Sequence, residues 1–545
     1  MKRIESIQSR RREVLFRPTY FVGSLVKAAN CFAGIFLGVN WLGFIASGWS
    51  AENAGNPGAG LSAADAGGRP NVLLIIADDL RDRVGCYGNP QIKTPNIDSL
   101  AARGVRFDHA YVQYSVCNPS RSSFLTGLRP EQTRVWDNRT CFRDNLPDVV
   151  TLPQCFRAAG YYTAGYGKVF HTAGGNLSEQ ARWSDAKNSW DDSHEAPSQG
   201  GAAAYQRLNK DPAANSLHDE DFSREPKIIE GRNLTGGKLK WCEWGATAGP
   251  DNLEPDYGTA SAAIAAMDKA GGKAWFIAAG FHRPHDPFIT PKKYFDMYPL
   301  SSLKLYHDPK DMTATLPLAL PQGAELAAFR AFSDEDKLEF MRAYYACTTF
   351  MDTQVGRLLQ ELDRRNLWTN TLVIFMGDNG YHLGEREWWN KVTVFERCCR
   401  VPFIMAGAGV AANRVCESLV EMVDLYPTLI DRCGVPPPQN QTLAGESFWP
   451  LLQNPALPGR GFAFTMVTRG KDNLIGRSVR TDRWRYTEWD ESRKGIELYD
   501  ESNDPEETHD LSKKPENVKL IASLKLLLDK LPKVNKTGTA PEYQP

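Results

Sequence analysis

Three mainly apolar segments that each end in polar residues place the strongest constraint on how this chain can fold. They span residues 71–77, 273–280 and 371–376. Short apolar runs of this kind are typical of strands that are buried on both faces of a parallel sheet. Amphipathic helical stretches, such as residues 340–365, lie between them. The alternation predicts an α/β fold whose ligand site lies beyond the carboxyl ends of the strands.

The polar residues at two of these strand ends are of the types that bind a hard metal ion. Asp78 and Asp79 follow the first run, and Asp378 and Asn379 follow the third. An adjacent acidic pair more often decorates a solvated loop, and Asp-Asn-Gly is also a good turn sequence. Together, however, these carboxylate and amide oxygens form the kind of ligand set that Ca²⁺ prefers. The sequence therefore predicts an oxygen-only metal site at this edge of the sheet.

The first fifty residues have the composition of a targeting segment. Residues 2–13 are rich in Lys and Arg, and residues 28–51 carry no charge and end in small residues. This order is typical of a cleaved export signal, so we expect a periplasmic or extracellular protein. The arginines at positions 10–12 loosely resemble those of a twin-arginine signal. A retained N-terminal membrane anchor is the alternative, because about 20 apolar residues can span a bilayer.

The sequence pattern changes near the C-terminus. A hairpin-like stretch at residues 478–489, a short strand at 497–500 and a helical pattern at 517–531 predict a small α+β subdomain with a short antiparallel sheet. Residues 176–255 lack strong periodicity and are interpreted as a long surface insertion. The predicted division is an export signal or anchor at 1–50, a flexible linker at 51–69, a catalytic domain at 70–440 and a C-terminal subdomain at 441–545.

Overall charge and cysteine content exclude only a few classes of protein function. The 64 basic and 65 acidic side chains nearly cancel, whereas nucleic-acid-binding domains usually carry a basic excess. We therefore expect no nucleic-acid partner, although a local cationic pocket fits a neutral chain. The eleven cysteines show no zinc-binding spacing, and no disulfide pairing can be assigned from them.

One cysteine lies in a motif that carries chemistry. A lone cysteine is most often a buried small hydrophobe, but Cys117 begins the run Cys117-Asn118-Pro119-Ser120-Arg121, and Thr126-Gly127 follows at the end of the segment. Pro119 favours the first turn of a helix, which would place residue 117 near a helix N-terminus that attracts anions. Arg121 lies one turn further along and can point back to the same spot.

This run resembles the sulfatase signature Cys-x-Pro-Ser-Arg-x-x-x-x-Thr-Gly, and other segments are similar to the iduronate-2-sulfatase-like branch of that family. The resemblance covers nearly the whole chain after residue 70. It implies a large, mixed, mostly parallel sheet sandwiched by helices, as in alkaline phosphatases and sulfatases. It also implies that a maturation enzyme oxidises Cys117 to formylglycine (3-oxoalanine). The Ca²⁺ ligands that it implies are Asp78, Asp79, Asp378, Asn379 and the modified residue 117.

The resemblance further implies a cationic sulfate-binding set and a hydrolytic mechanism. Asp378 would assist deprotonation of the attacking formylglycine hydroxyl, and His285 or Lys391 would protonate the leaving alcohol. His171 would take a proton from the second hydroxyl and so release sulfate. We expect His282 and His382 to have structural or supporting roles. The predicted catalytic residues are Cys117, Arg121, Lys168, His171, His285 and Lys391.

The expected reaction is hydrolysis of an O-sulfate ester on a sulfated carbohydrate. The expected partners are that substrate, the formylglycine-generating maturation enzyme and the export machinery. A phosphonate monoester or phosphodiester hydrolase of the same superfamily is one alternative, and a non-catalytic protein that binds sulfated glycans is another. A zinc phosphatase fits less well, because zinc would require more histidines among the metal ligands.

Overall fold

A computed structural model describes residues 68–171, 177–194 and 227–532 of the 545-residue chain. The predicted export segment, residues 1–50, and most of the predicted linker lie outside these described residues. Within the described ranges, no helix combines the length and the apolar character needed to cross a membrane.

The described residues form strands that we number β1 to β17 and α-helices that we number α1 to α15. The strands are β1 (Asn71–Asp78), β2 (Gly104–Phe107), β3 (Ala110–Tyr111), β4 (Tyr162–Gly167), β5 (Asp192–His194), β6 (Lys227–Asn233), β7 (Glu243–Ala248), β8 (Trp275–Pro284), β9 (Phe288–Pro291), β10 (Thr371–Gly377), β11 (Phe403–Gly407), β12 (Arg414–Cys416), β13 (Val420–Glu421), β14 (Phe462–Arg469), β15 (Leu474–Thr481), β16 (Trp484–Trp489) and β17 (Ile496–Asp500). The helices are α1 (Pro95–Ala102), α2 (Cys117–Thr126), α3 (Pro130–Thr133), α4 (Phe142–Asn145), α5 (Leu152–Ala158), α6 (Leu177–Trp183), α7 (Ala186–Ser189), α8 (Pro255–Lys269), α9 (Lys292–Phe295), α10 (Ala324–Arg330), α11 (Asp334–Arg364), α12 (Glu396–Cys399), α13 (Leu425–Cys433), α14 (Trp449–Gln453) and α15 (Val518–Leu528).

The largest sheet has eight strands in the order β12-β2-β11-β10-β1-β8-β4-β5. Its neighbouring strands are parallel except where β11 pairs with β10 and β2. All eight residues of the central strand β1 are buried. Its side chains alternate between two separate apolar clusters, one on each face of the sheet. This confirms the predicted α/β fold, with a large, mixed, mostly parallel sheet between two layers.

The strand register brings the three predicted polar ends together. Ala77 of β1 pairs with Gly377 of β10, and Asp78 pairs with Pro284 at the end of β8. Because these three strands are adjacent and parallel, their carboxyl ends meet at one edge of the sheet. The residues that follow each strand therefore converge on one site.

The long helix α11 covers one face of the sheet beneath this edge. The side chain of Ser333 caps its N-terminus by accepting a hydrogen bond from Asp336 N, and the Asp336 carboxylate accepts one from Ser333 N in return. The helix begins six residues before the stretch predicted at 340–365, because this capping box fixes its start. Its buried side chains join the same apolar cluster as Leu73 and Ile75.

The prediction that residues 176–255 form a surface insertion is wrong for part of that segment. β5 extends the edge of the large sheet, and β6 and β7 form a three-stranded sheet with β9. Trp244 and Ala246 of β7 are buried in the main core. Packing of β7 against β9 therefore outweighs the weak local periodicity of the sequence. The same pairing supports β9, the strand that follows the loop carrying His285.

The C-terminal region contains the predicted antiparallel sheet. Strands β14 to β17 form a four-stranded meander, and α15 packs on it through Leu524 and Leu528. The turn between β15 and β16 lies where the hairpin was predicted. Phe448, by contrast, packs in the core of the large sheet. The exact domain division at residue 440 stays a prediction.

Candidate active site

The predicted nucleophile lies at the first position of α2. Val116 before it is extended, and Gly127 ends the helix in the left-handed region with φ 69°. Cys117 is fully buried, and its Sγ lies 2.9 Å from Lys391 Nζ and 3.7 Å from Asp79 Oδ1. Burial, together with the charge of Asp78, holds the pKa of the Cys117 thiol well above its ordinary value. The unmodified side chain is therefore a neutral thiol, and its sulfur occupies the place of the oxygen that formylglycine would carry on the same carbon.

Three carboxylates converge beside this residue. Oxygen atoms of Asp78, Asp79 and Asp378 lie within 4.8 Å of one another, and Asp79 N donates a hydrogen bond of 2.9 Å to Asp378 Oδ1. Burial alone would raise the pKa of Asp78, but Lys168, His285 and Arg121 outweigh it and hold that pKa well below the usual range. Burial raises the pKa of Asp378 to about 6 against the opposing charge of Arg121.

Asn379 completes an oxygen-rich cluster. Its Nδ2 donates to Asp79 Oδ1 at 2.8 Å and to Gly380 O at 3.0 Å. These bonds fix the amide orientation, and they leave Asn379 Oδ1 buried without a hydrogen-bond partner among the described residues. Buried polar atoms are rarely left unpaired. Three carboxylates and one unpaired amide oxygen fit a hard cation such as Ca²⁺.

Three cationic side chains balance the three carboxylates. Arg121 donates from Nε to Asp378 Oδ2 at 2.8 Å and lies 3.4 Å from Asp78 Oδ1 through Nη2. Lys168 forms an ion pair with Asp78. Lys391 Nζ donates to the two carboxylate oxygens of Asp79 at 2.5 and 2.7 Å. Burial opposes the charge on Lys391, but Asp79 outweighs it and raises the pKa of this lysine well above its ordinary value.

Two histidines, His171 and His285, flank the cluster and differ in their hydrogen bonds. His285 Nδ1 lies 2.6 Å from Asp286 O; since a carbonyl only accepts, Nδ1 carries the proton and Nε2 faces Asp79 Oδ2 at 3.6 Å. His171 follows Lys168 by three residues, and its Nδ1 is buried without a partner in the described part of the chain. Burial and then Lys168 hold the pKa of His171 well below its ordinary value, so its ring is neutral.

The structure thus brings every predicted site residue to one edge of the sheet. The two histidines expected to have structural or supporting roles differ: His382 Nε2 lies 2.9 Å from Thr393 Oγ1 and only its Nδ1 is unpaired, whereas His282 is buried with both ring nitrogens unpaired among the described residues. His382 is therefore held within the fold, and the structural or supporting roles of both histidines stay a prediction.

Sequence reasoning missed two residues that support the site. Tyr344 on α11 donates to Asp79 O at 2.7 Å and accepts from Arg81 N at 3.0 Å, which fixes the turn after β1. Asp256 on α8 accepts from the backbone of His282 and Arg283 at 2.8 and 2.9 Å. Nothing local in the sequence marks Asp256, because its partners are 26 and 27 residues away.

Comparisons with known proteins agree with this geometry. The sequence matches the sulfatase family over residues 70–435 and the family of N-sulphoglucosamine sulphohydrolase C-terminal regions over residues 384–534. Iduronate 2-sulfatase of Homo sapiens is 30% identical, with 83% of this chain and 90% of that protein covered. A sulfatase of Formosa agariphila is 29% identical over 87% of this chain and 88% of its own length. The phosphonate monoester hydrolase of Agrobacterium radiobacter has a similar fold, with a TM-score of 0.66 and 23% identity over 84% of this chain and 95% of that chain.

Proposed function

This chain belongs to the sulfatase family of sulfuric ester hydrolases, and we propose that it removes the O-sulfate group of a sulfated carbohydrate, using Ca²⁺ and a formylglycine made from Cys117. The observation that carries the proposal is the convergence of Cys117 Sγ with three carboxylates and the unpaired Asn379 Oδ1. A nucleophile position and an oxygen-only cation site in direct contact are the two parts that such hydrolysis needs.

The proposed metal ligands are Asp78, Asp79, Asp378 and Asn379, together with the modified residue 117. When bound, Ca²⁺ would neutralise negative charge and lower the pKa of the attacking hydroxyl. Formylglycine, as its hydrate, would supply that hydroxyl. Because the Cys117 thiol is held neutral by burial, it is a poor nucleophile, which supports the need for conversion.

The charges of the site support a monoanionic ester as substrate. Asp78, Asp79 and Asp378 contribute three negative charges when ionised, and Arg121, Lys168 and Lys391 contribute three positive ones. A divalent cation adds two more positive charges. A sulfate monoester carries one negative charge and an ionised hydroxyl another, so the loaded site would again be neutral. Buried charges are tolerated when they are balanced in this way.

We assign the remaining roles from the contacts of each side chain. Arg121 holds Asp78 and Asp378 in place, because its hydrogen bonds go to them and to backbone carbonyls. Lys168 and Lys391 pair with Asp78 and Asp79 in the metal-free protein. With Ca²⁺ on those carboxylates, the two ammonium groups would be available to bind sulfate oxygens and to stabilise the charge that develops on them. His285, in the form that carries a proton on both ring nitrogens, protonates the leaving alcohol from Nε2 and keeps its proton on Nδ1. Neutral His171 accepts a proton when sulfate is released.

The burial of the nucleophile bears on the stage at which maturation takes place. Cys117 is fully enclosed in the fold, so we infer that the maturation enzyme acts on the chain before it folds. Residues 1–50 would direct export. Mass spectrometry of the peptide around Cys117 and of the mature N-terminus, on protein from the native host, tests both points.

The experiment that tests the reaction compares two substrate classes. The purified protein should release inorganic sulfate from sulfated oligosaccharides and from an aryl sulfate with a kcat/KM higher than that for an aryl phosphonate monoester or phosphodiester. Cys117→Ala should abolish release while the Tm stays close to that of the parent protein. A preference for phosphorus esters would favour the alternative that the fold of the phosphonate monoester hydrolase suggests. Sulfate binding without release would indicate a non-catalytic glycan-binding protein.

A further inference from the structure

The residues on the solvent-exposed side of the site differ from those on its buried side. The side chains of Asp78, Asp79 and Arg121 are fully buried. Those of His285 and Asp286 are 21% and 11% exposed. The alcohol part of an ester must extend toward solvent when its sulfate lies against the buried cations. In the proposed reaction, His285 and Asp286 would therefore face the carbohydrate.

The carboxylate of Asp286 accepts no hydrogen bond from the described residues. One of its oxygens lies within 4.8 Å of ligand atoms of Asp79 and His285. The neighbouring ring nitrogen, His285 Nδ1, is 3.7 Å from Asp286 Oδ2 and already donates to the Asp286 backbone oxygen at 2.6 Å. No hydrogen bond reaches the carboxylate from residues 68–171, 177–194 or 227–532. The carboxylate oxygens keep some contact with solvent, so they can accept a hydrogen bond from water or from a hydroxyl group of a bound ligand.

A second acidic residue strengthens the negative potential on this side. Glu325, in the first turn of α10, is half-buried and has no ion pair among the described residues. Burial, followed by the charge of Asp286, raises the pKa of Glu325. Asp286 and Glu325 thus place two acidic side chains on the outer part of the site, whereas the inner part holds Arg121, Lys168 and Lys391.

We infer that Asp286 accepts a hydrogen bond from a free hydroxyl group next to the sulfate ester, so that the substrates are sugars whose sulfate is flanked by a hydroxyl and not by a second sulfate or a carboxylate. This inference rests on the proposed sulfatase function and narrows its substrate class. A site that hydrogen-bonds a hydroxyl disfavours an analogue without it, because the acceptor loses that partner once the substrate covers it. A vicinal anion is disfavoured more strongly, since it meets two carboxylates.

The test uses three matched sulfated monosaccharides and an aryl sulfate. The sugars share one sulfate position and carry, on the neighbouring carbon, a hydroxyl, a hydrogen or a second sulfate. The parent protein should favour the hydroxyl over the hydrogen by about 10- to 100-fold in kcat/KM. In Asp286→Ala this ratio should fall to within about threefold of one. A ratio cancels any general loss of catalysis or of folded protein.

Two further variants separate charge from hydrogen bonding. Asp286→Asn keeps one acceptor without the charge, so it should lose discrimination against the disulfated sugar more than preference for the hydroxyl. Asp296→Asn changes an exposed aspartate nearby in sequence and should retain both preferences. The inference is overturned if the parent protein treats hydroxyl and hydrogen alike, or if Asp286→Ala keeps the full preference. Failure of the parent protein to release sulfate even from the aryl sulfate would instead overturn the proposed function, and the inference with it.

Discussion

Lys391 Nζ lies 2.9 Å from Cys117 Sγ and also donates to the two carboxylate oxygens of Asp79. A single ammonium group therefore joins the nucleophile position to the predicted metal ligands, although Lys391 and Cys117 are 274 residues apart in the chain. Any change in the position of Lys391 must alter both parts of the site.

Loss of this ammonium group should impair catalysis more than folding. We expect Lys391→Ala to lower kcat/KM for an aryl sulfate by at least about 100-fold, because a donor directed at developing charge is removed from a buried site. Lys310→Ala removes an exposed lysine and serves as the control. Steady-state kinetics and thermal melting of both variants check this. A Lys391→Ala enzyme with nearly full activity would show that the contact with residue 117 has no catalytic role.

Calcium binding should depend on pH in a defined direction. In the metal-free protein the pKa of Asp378 is raised to about 6, chiefly by burial. Below that pH the carboxyl holds a proton that a cation must displace, so Ca²⁺ affinity should fall as the pH drops below about 6 and binding there should release a proton. Calorimetric titration of the metal-free protein in buffers with different ionisation enthalpies measures both effects. Affinity that is constant between pH 5 and 8 would contradict the assignment of Asp378 as a ligand.

The amide oxygen of Asn379 offers a second test of the same cation site. Asn379→Ala removes the one ligand atom that has no partner in the described structure, and it should weaken Ca²⁺ binding by about 10-fold or more. Asn370→Ala, outside the site, is the matched control. Removal of Ca²⁺ with a chelator should also lower the Tm of the parent protein more than that of Asn379→Ala, because a ligand stabilises only the form that binds it.

The large sheet and most of the site could be predicted from the sequence for one physical reason. A strand buried on both faces needs a continuous apolar run, so β1 and β10 are visible locally, and parallel pairing then forces Asp78 and Asp378 to one edge. The strand β7 could not be predicted in this way, because its burial depends on β9 and on the main core. Contacts between residues that are far apart in the chain, such as Tyr344 with Asp79, likewise leave no local pattern in the sequence.

Asp256 provides a test of one such long-range contact. Its carboxylate accepts from His282 N and Arg283 N and so holds the start of the loop that carries His285. Asp256→Ala leaves two buried N–H groups without that acceptor, which should cost about 1–3 kcal/mol of unfolding free energy and lower kcat more than it changes KM. The exposed Asp268→Ala is the control. Urea unfolding and kinetics measure the two effects, and unchanged values for Asp256→Ala would show that the loop holds its shape without this residue.

The buried carboxyl of Glu497 makes stability depend on pH away from the active site. Burial raises the pKa of Glu497 to about 7, although it accepts hydrogen bonds from Trp489 Nε1 at 3.3 Å and Tyr499 OH at 3.0 Å. Between about pH 4.5 and 7 the unfolded chain loses this proton while the folded protein keeps it. The folded state then binds more protons, so the contribution of Glu497 to stability falls by about 1.4 kcal/mol per pH unit across that window and is constant outside it.

Glu497→Gln should abolish this dependence, because a glutamine side chain does not titrate. Relative to the parent protein, the variant should therefore be more stable at pH 8 than at pH 4.5, with a difference of order 2–3 kcal/mol between the two conditions. Urea unfolding at both pH values measures it, and the exposed Glu335→Gln, at the start of α11, provides the control. If the relative stability of Glu497→Gln were the same at both pH values, the carboxyl of Glu497 would have to be ionised in the folded protein with an ordinary pKa, and burial would not be the dominant influence on it.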